Sequence, residues 1–243
     1  MLSNKEQKFI KSLKVKKYRT RERCFLVEGA KNVQELLNSD FEVELIVGTE
    51  LYFSSHVRSG NYRNEIVKAD LLTQLSTFKT NEDVLAVVRM KEDIREGINY
   101  NDHIFVLDGV SDPGNLGTII RTLDWFGFQQ VICSADCAEF YHPKVISSSM
   151  GSFTRVGVLT LELSSFYQKN ELPVYAATMD GMPVDKADFK SPIVIVMGSE
   201  SHGISDLTKK FISQSITIPQ FGKAESLNVG IATGIIASHL RMA

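Results

Sequence analysis

Short runs of β-branched and other apolar residues alternate along this chain with stretches whose apolar positions recur every three or four residues. These are the periods of strands and of amphipathic helices. A polar helix begins at Asn4, strand CFLVEG spans Cys24 to Gly29, and an amphipathic helix covers Ala30 to Asn38. Strand FEVELIVGT, an irregular stretch at residues 54–64, strand EIVKA, a helix from Asp70 and strand VLAVVRM follow. From His103 the alternation is stricter. Strands HIFVLD, QQVICS, RVGVLTL, PVYAAT, IVIVMG and SITIP interleave with helices over 115–126, 143–150, 164–170, 205–212 and 226–241. The pattern predicts an α/β protein in two parts. Residues 1–97 form a small α/β domain with a basic N-terminal segment, and 98–102 close a charged linker. Residues 103–243 form a mainly parallel sheet with helices on both faces.

Three strands in the second part stop at clusters of Gly, Ser, Asn and Pro: DGVSDPGNLGTIIR (108–121), IVIVMGSESHGIS (193–205) and ITIPQFGKAESLNVG (216–230). Open α/β sheets bind ligands at such carboxyl ends of strands, so the three predict one composite site. In the first, Asn115 is placed to cap a helix whose apolar stripe is Leu116, Ile119, Ile120, Leu123 and Phe126, ended by Gly127. Arg121 lies off that stripe, one turn above Gly117. It either meets an anionic or polar ligand or pairs on the surface with an acid such as Asp124. In the second segment, Glu200 either serves a site or caps the following helix. In the third, Pro219 and Gly222 break the strand, Ser226 is placed as an N-cap and Asn228 in the first helical turn. The small residues of the last helix permit close packing within the domain or across a dimer.

Charge changes the picture for the N-terminus. Residues 1–23 carry nine Lys or Arg against two Glu, +7 in all, so the remaining residues sum to −9 within a net charge of −2. Such a segment, including Lys14, Lys16, Lys17, Arg19, Arg21 and Arg23, is either a contact for a phosphate backbone or a solvated cationic helix face. Other chemistries lack their signatures. Gly109, Gly114 and Gly117 do not fit G-x-G-x-x-G, no P-loop occurs, and the five His are scattered, so neither a nucleotide fingerprint nor a metal site is expected. Cys24, Cys133 and Cys137 form no even disulfide framework and are expected as reduced structural thiols. The start MLSNKEQKFIKSLK lacks a secretory apolar stretch, and no apolar run approaches about 18 residues. A cytoplasmic protein without membrane segments is expected.

The order N-x-G-x-x-x-R (Asn115, Gly117, Arg121), G-x-E-x-x-G (Gly198, Glu200, Gly203) and I-P…S-L-N-V (Ile218, Pro219, Ser226 to Val229) resembles the SpoU, or TrmH, family of RNA 2′-O-ribose methyltransferases. The likeness covers the whole second part. The first part, chiefly through FLVEGAKNVQELL, resembles the L30e-like substrate-binding domain of ribosomal RNA members. At Gly230 the chain departs from the family, whose members often carry Ser there.

The resemblance implies an α/β knot, a deep trefoil, in place of an ordinary doubly wound sheet. It also implies a homodimer built through the knot and C-terminal helix, and S-adenosylmethionine as methyl donor without a metal. Thr178, Gly198, Ile218 and Leu227 are then expected to line the cofactor, and Arg121, Asn115, Glu200, Ser226 and Asn228 to serve catalysis. Arg121 is the family's catalytic arginine by position and is often cast as a base. A guanidinium resists deprotonation, with a pKa above about 12, so holding an RNA phosphate and stabilising developing alkoxide charge is the easier role. Asn115, Ser226 and Asn228 would orient the ribose and Arg121, with Glu200 positioning Arg121 or its loop. Ribosomal RNA is favoured as substrate by the N-terminal domain. Transfer RNA and a non-catalytic RNA-binding role are the alternatives, and a resistance methyltransferase would share every motif.

Overall fold

The computed structural model describes residues 2–55, 60, 62–78, 81, 83–91, 97–189 and 192–242. Part of the irregular stretch expected at 54–64, and 92–96 before the linker, lie outside the described residues. Two compact units emerge: residues 1–92 with 141–154, and residues 93–140 with 155–243.

In the first unit the chain runs α1 (Asn4–Ser12), α2 (Lys16–Glu22), β1 (Cys24–Glu28), α3 (Ala30–Leu37), β2 (Val43–Gly48), α4 (Glu50–Ser55), β3 (Arg63–Ile66), α5 (Ala69–Leu75) and β4 (Val84–Arg89). The polar helix expected from Asn4 is thus two helices. A reciprocal Ser3–Glu6 capping box starts α1, and α2 ends where Arg23 turns left-handed at φ 53°. The sheet order is β1-β4-β2-β3, antiparallel except for the parallel β2–β3 pair. Every residue of β1 is buried because both faces of the sheet are covered. Cys24 and Leu26 join Ile10, Leu13, Leu72 and Leu75 in one core. Phe25, on the opposite face by the two-residue strand period, meets Tyr141 at 4.6 Å and Phe153 at 6.2 Å between ring centroids. Those rings come from 141–154, whose short helix Pro143–Ser148 is α7 in chain order and packs on β1.

The second unit contains β5 (Ile104–Asp108), α6 (Pro113–Trp125), β6 (Gln130–Cys133), β7 (Gly157–Thr160), α8 (Leu163–Lys169), β8 (Val174–Pro183), β9 (Val194–Gly198), α9 (Asp206–Lys209), β10 (Gln214–Thr217) and α10 (Val229–Met242). All six strands pair in parallel, in the order β10-β8-β9-β5-β6-β7. β9 and β5 carry unbroken apolar runs because they lie in the middle of the sheet, buried on both faces. Since β5 and β9 are neighbours with Asp108 opposite Gly198, two of the three motif loops leave the sheet side by side. The order in which strands are added to the sheet reverses there, where α/β ligand sites form.

The last helix is fastened at both ends. Gly230 and Gly234 face Thr118 and Thr122 of α6, and a Cβ on Gly230 would lie 3.1 Å from the Thr118 methyl. Near its end Arg241 makes a two-pronged ion pair with Asp102 at 2.7 and 2.9 Å, donates to the Phe126 carbonyl and lies over the Phe128 ring. Burial works to raise the Asp102 carboxyl, but hydrogen bonds from Arg241 and the His103 N–H, with Arg241's charge, hold it below the usual value. A depressed folded value contributes stability above the unfolded range near pH 4, and that contribution is lost as pH falls through the folded value. Arg241→Ala is expected to cost about 2 kcal/mol and lower Tm by roughly 4–8 °C at pH 7. The gap to wild type should narrow below about pH 4. An equal Tm at pH 7, measured by circular dichroism, would show the clamp to be inert.

Candidate active site

β8 lies between β9 and β10, and its pairing with β10 jumps: Ser215 is opposite Ala176, yet Ile216 is opposite Met182. The residues between form an excursion that lines a cavity of about 730 Å³ together with the β9 and β10 loops. This lies within the range of about 300–1,000 Å³ usual for small-ligand sites. Gly181 allows the excursion, since a Cβ there would stand 2.5 Å from the Ile216 backbone. The Asp-Gly step at 180–181 was the available sequence signal for it.

All four residues expected to line a cofactor, Thr178, Gly198, Ile218 and Leu227, are brought to this cavity's wall, as are Glu200 and Ser226. At Gly198 a Cβ would lie 2.5 Å from the Gly203 carbonyl carbon and 2.7 Å from the Ile204 nitrogen, so only glycine lets the loop fold back. Ser199 and Gly203 exchange N–H to carbonyl bonds of 2.9 and 2.8 Å across that turn. The buried Asp108 carboxylate accepts from the Ser205 N–H at 2.9 Å, tying the β5 end to the same loop. Thr178 Oγ1 is buried with no hydrogen-bond partner among the described residues. A polar atom so placed in a mainly apolar wall suits a ligand that offers it a partner.

At the Glu200 end of that wall stands a polar cluster. Glu200 Oε1 accepts from Asn115 Nδ2 at 2.9 Å and Asn228 Nδ2 at 3.0 Å, and the Asn228 amide also donates to Asn115 Oδ1 at 2.9 Å. One residue from each motif loop therefore meets the others. Two expected caps are corrected. Asp112, not Asn115, caps α6, accepting from the Asn115 N–H with Pro113 in the first turn. Asn228, not Ser226, caps α10, its Oδ1 accepting from the N–H groups of Gly230 and Ile231. Both caps are local, and Asn115 instead spends its side chain on Glu200. Ser205 caps α9, which leaves the Glu200 carboxylate to the two amides.

Arg121 is exposed on α6 and makes no hydrogen bond or ion pair among the described residues. Asp124, its alternative surface partner, is held by Arg155 at 2.9 Å. In the first unit, Lys16, Lys17, Arg21 and Arg23 are exposed. Lys14 donates to the Ser76 and Gln74 carbonyls, and Arg19, 1% exposed, donates to the Leu13 carbonyl. Burial removes Arg19 from any phosphate contact, because its guanidinium satisfies the chain end of α1. The three cysteines are free thiols. Among the described residues no helix is long and apolar enough to cross a membrane.

Residues 102–238 match the sequence profile of the SpoU rRNA Methylase family, and residues 4–86 match that of the MRM3-like substrate binding domain. The chain belongs to the SpoU family. Over 243 residues it is 30% identical to the 23S rRNA (guanosine(2553)-2'-O)-methyltransferase RlmP of Bacillus subtilis, covering 98% of this chain and 96% of that protein. A TrmH-family protein of Porphyromonas gingivalis superposes with a TM-score of 0.88 at 35% identity, over 100% of this chain and 99% of its own. The AdoMet-bound rRNA methyltransferase of Sinorhizobium meliloti superposes at 0.86 with 27% identity, over 100% and 96%. The fold is the α/β arrangement of SpoU methyltransferases that the motif order implies.

The SpoU cluster yields a stability test. Asn228→Asp keeps the α10 cap but sets a second carboxylate against Glu200. It is expected to cost about 1 kcal/mol at low ionic strength, and the loss should shrink as added salt screens the two exposed carboxylates. A difference in Tm that does not change with salt would refute the contact.

Proposed function

We propose that this SpoU protein methylates a ribose 2′-hydroxyl of 23S ribosomal RNA, with S-adenosylmethionine as donor. The observation that carries this reading is the meeting of Asn115, Glu200 and Asn228 beside a cavity whose wall holds the unpartnered Thr178 hydroxyl. Likeness to RlmP along the whole chain supports ribosomal RNA as the substrate. Guanosine is the first base to test.

Thr178, Gly198, Ile218 and Leu227 would hold the donor, with Ile218 and Leu227 supplying apolar surface and Thr178 a hydroxyl. When bound, S-adenosylmethionine supplies a methyl already activated by positive sulfur. The protein's task is then to place the ribose and manage the hydroxyl proton. Asn115 and Asn228, fixed by Glu200, present amide groups for the ribose, and Ser226 stands beside them. Arg121 keeps its planar fork unspent, free to grip an RNA phosphate and stabilise negative charge growing on the attacking oxygen. Lys16, Lys17, Arg21 and Arg23 provide further phosphate contacts on the first unit, and Lys14 a weaker one. A homodimer through α10, whose Ile231 and Met242 are exposed, and a cytoplasmic location complete the proposal.

Arg121→Ala is expected to lower kcat about 100-fold or more, with S-adenosylmethionine affinity by calorimetry within about twofold. Arg121→Lys recovering most activity would favour bare charge over bidentate grip. Thr178→Val should leave Tm equal or higher, since it removes an unsatisfied atom, while weakening donor binding about five- to tenfold. Ribose-methylation mapping across ribosomal and transfer RNA, with and without the gene, tests the substrate. A change confined to transfer RNA, or none at any site, would overturn the ribosomal reading.

A further inference from the structure

The loop from Pro219 to Asn228 is exposed throughout, yet it is ordered by its own contacts. Gln220 Nε2 donates to the carbonyls of Gly222 at 3.0 Å and Ala224 at 2.7 Å, bracing the backbone on either side of Phe221. At its far end the loop is fixed by Asn228, which caps α10 and bonds Glu200 and Asn115. The ring of Phe221 stands on this braced turn at 98% exposure, at the edge of the cavity. A phenyl ring held in water by a pre-ordered loop loses hydrophobic stabilisation and gains no packing in return, which points to an absent planar partner. Exposed Lys223 follows two residues later.

We propose that Phe221 is the stacking surface for the base of the nucleotide whose ribose is methylated. This rests on the RNA reading above. Sequence-specific RNA sites splay a base out of its strand and stack it on an aromatic side chain, with a cation nearby for the backbone. Phe221 and Lys223 supply that pair on the loop that also carries Ser226 and Asn228, so base and ribose of one nucleotide are held by a single segment. The methyl donor does not account for the ring. On the reading above its apolar contacts are Ile218 and Leu227; Phe221 lines the same cavity but at 98% exposure, against 45% for Leu227, so its ring faces are left open to a second partner. Because Gln220 orders the loop in advance, stacking costs little further ordering.

The test uses the full-length protein, tritiated S-adenosylmethionine and 23S rRNA. Phe221→Ala is expected to raise KM for RNA by about five- to 100-fold, with kcat lowered by a smaller factor and donor affinity within about twofold. Phe221→Trp should stay near wild type, and Phe221→Leu, apolar but not planar, should behave as the alanine variant. An unchanged KM in Phe221→Ala overturns the proposal, as does full activity in Phe221→Leu. A loss traced to weaker donor binding, or to a dissociated oligomer by light scattering, assigns the ring elsewhere and also overturns it. If the wild-type protein transfers no methyl to any RNA, the functional reading itself fails, a result distinct from active wild type with an indifferent Phe221.

Discussion

The site depends on how closely two stretches of backbone approach at the end of β9. Gly198 lies against Gly203 and Ile204 at a separation no side chain could share, and the hydrogen-bonded turn between Ser199 and Gly203 closes that approach. The turn aims Glu200 outward at Asn115 and Asn228, while the backbone beneath it forms one side of the cavity. Because β9 is central and flanked by β5, the same approach brings the β5 loop alongside, with the Asp108 carboxylate bonded to the Ser205 N–H. Electrostatics and shape at the site thus share one steric origin.

Most elements were legible in the residues. The central strands coincide with apolar β-branched runs, since burial on both faces demands such runs whatever the connectivity, whereas β3, Arg-Asn-Glu-Ile at the edge of its sheet with no buried residue, does not. Helix starts were less legible. Asp112 and Asn115 are both good caps three residues apart, and Asn228 and Ser226 pose the same ambiguity. Asp112 before Pro113 is a local signal for the start of α6, whereas the bonds of Asn115 and Asn228 to Glu200 join partners that no local window contains. The β8 excursion at 177–181 left only the Asp-Gly step as a local signal, because its register jump is set by pairing with β10, remote in sequence. The cavity-wall residues were reached through motif resemblance, since nothing in their own neighbours distinguishes a wall from a core.

The N-terminal charge shows a different limit. Net charge counted Arg19 with its neighbours, yet a guanidinium can be buried when a chain end such as the Leu13 carbonyl needs a donor. Lys14 is likewise turned to the Ser76 carbonyl, and burial lowers its ammonium below the ordinary value. Lys5, Lys8, Lys11, Lys16, Lys17, Arg21 and Arg23 stay exposed, so the cationic surface is smaller by two side chains than the sequence tally implies.

The aromatic contacts of Phe25 reach Tyr141 and Phe153, residues that follow β6 in the chain. The N-terminal unit is therefore discontinuous, and a fragment ending near residue 97 would present Phe25 and Phe41 to water. Gene fusions or shuffling that treat the N-terminal half as a detachable cassette would cut through its hydrophobic core. Any boundary drawn between the two units has to keep 1–92 and 141–154 together.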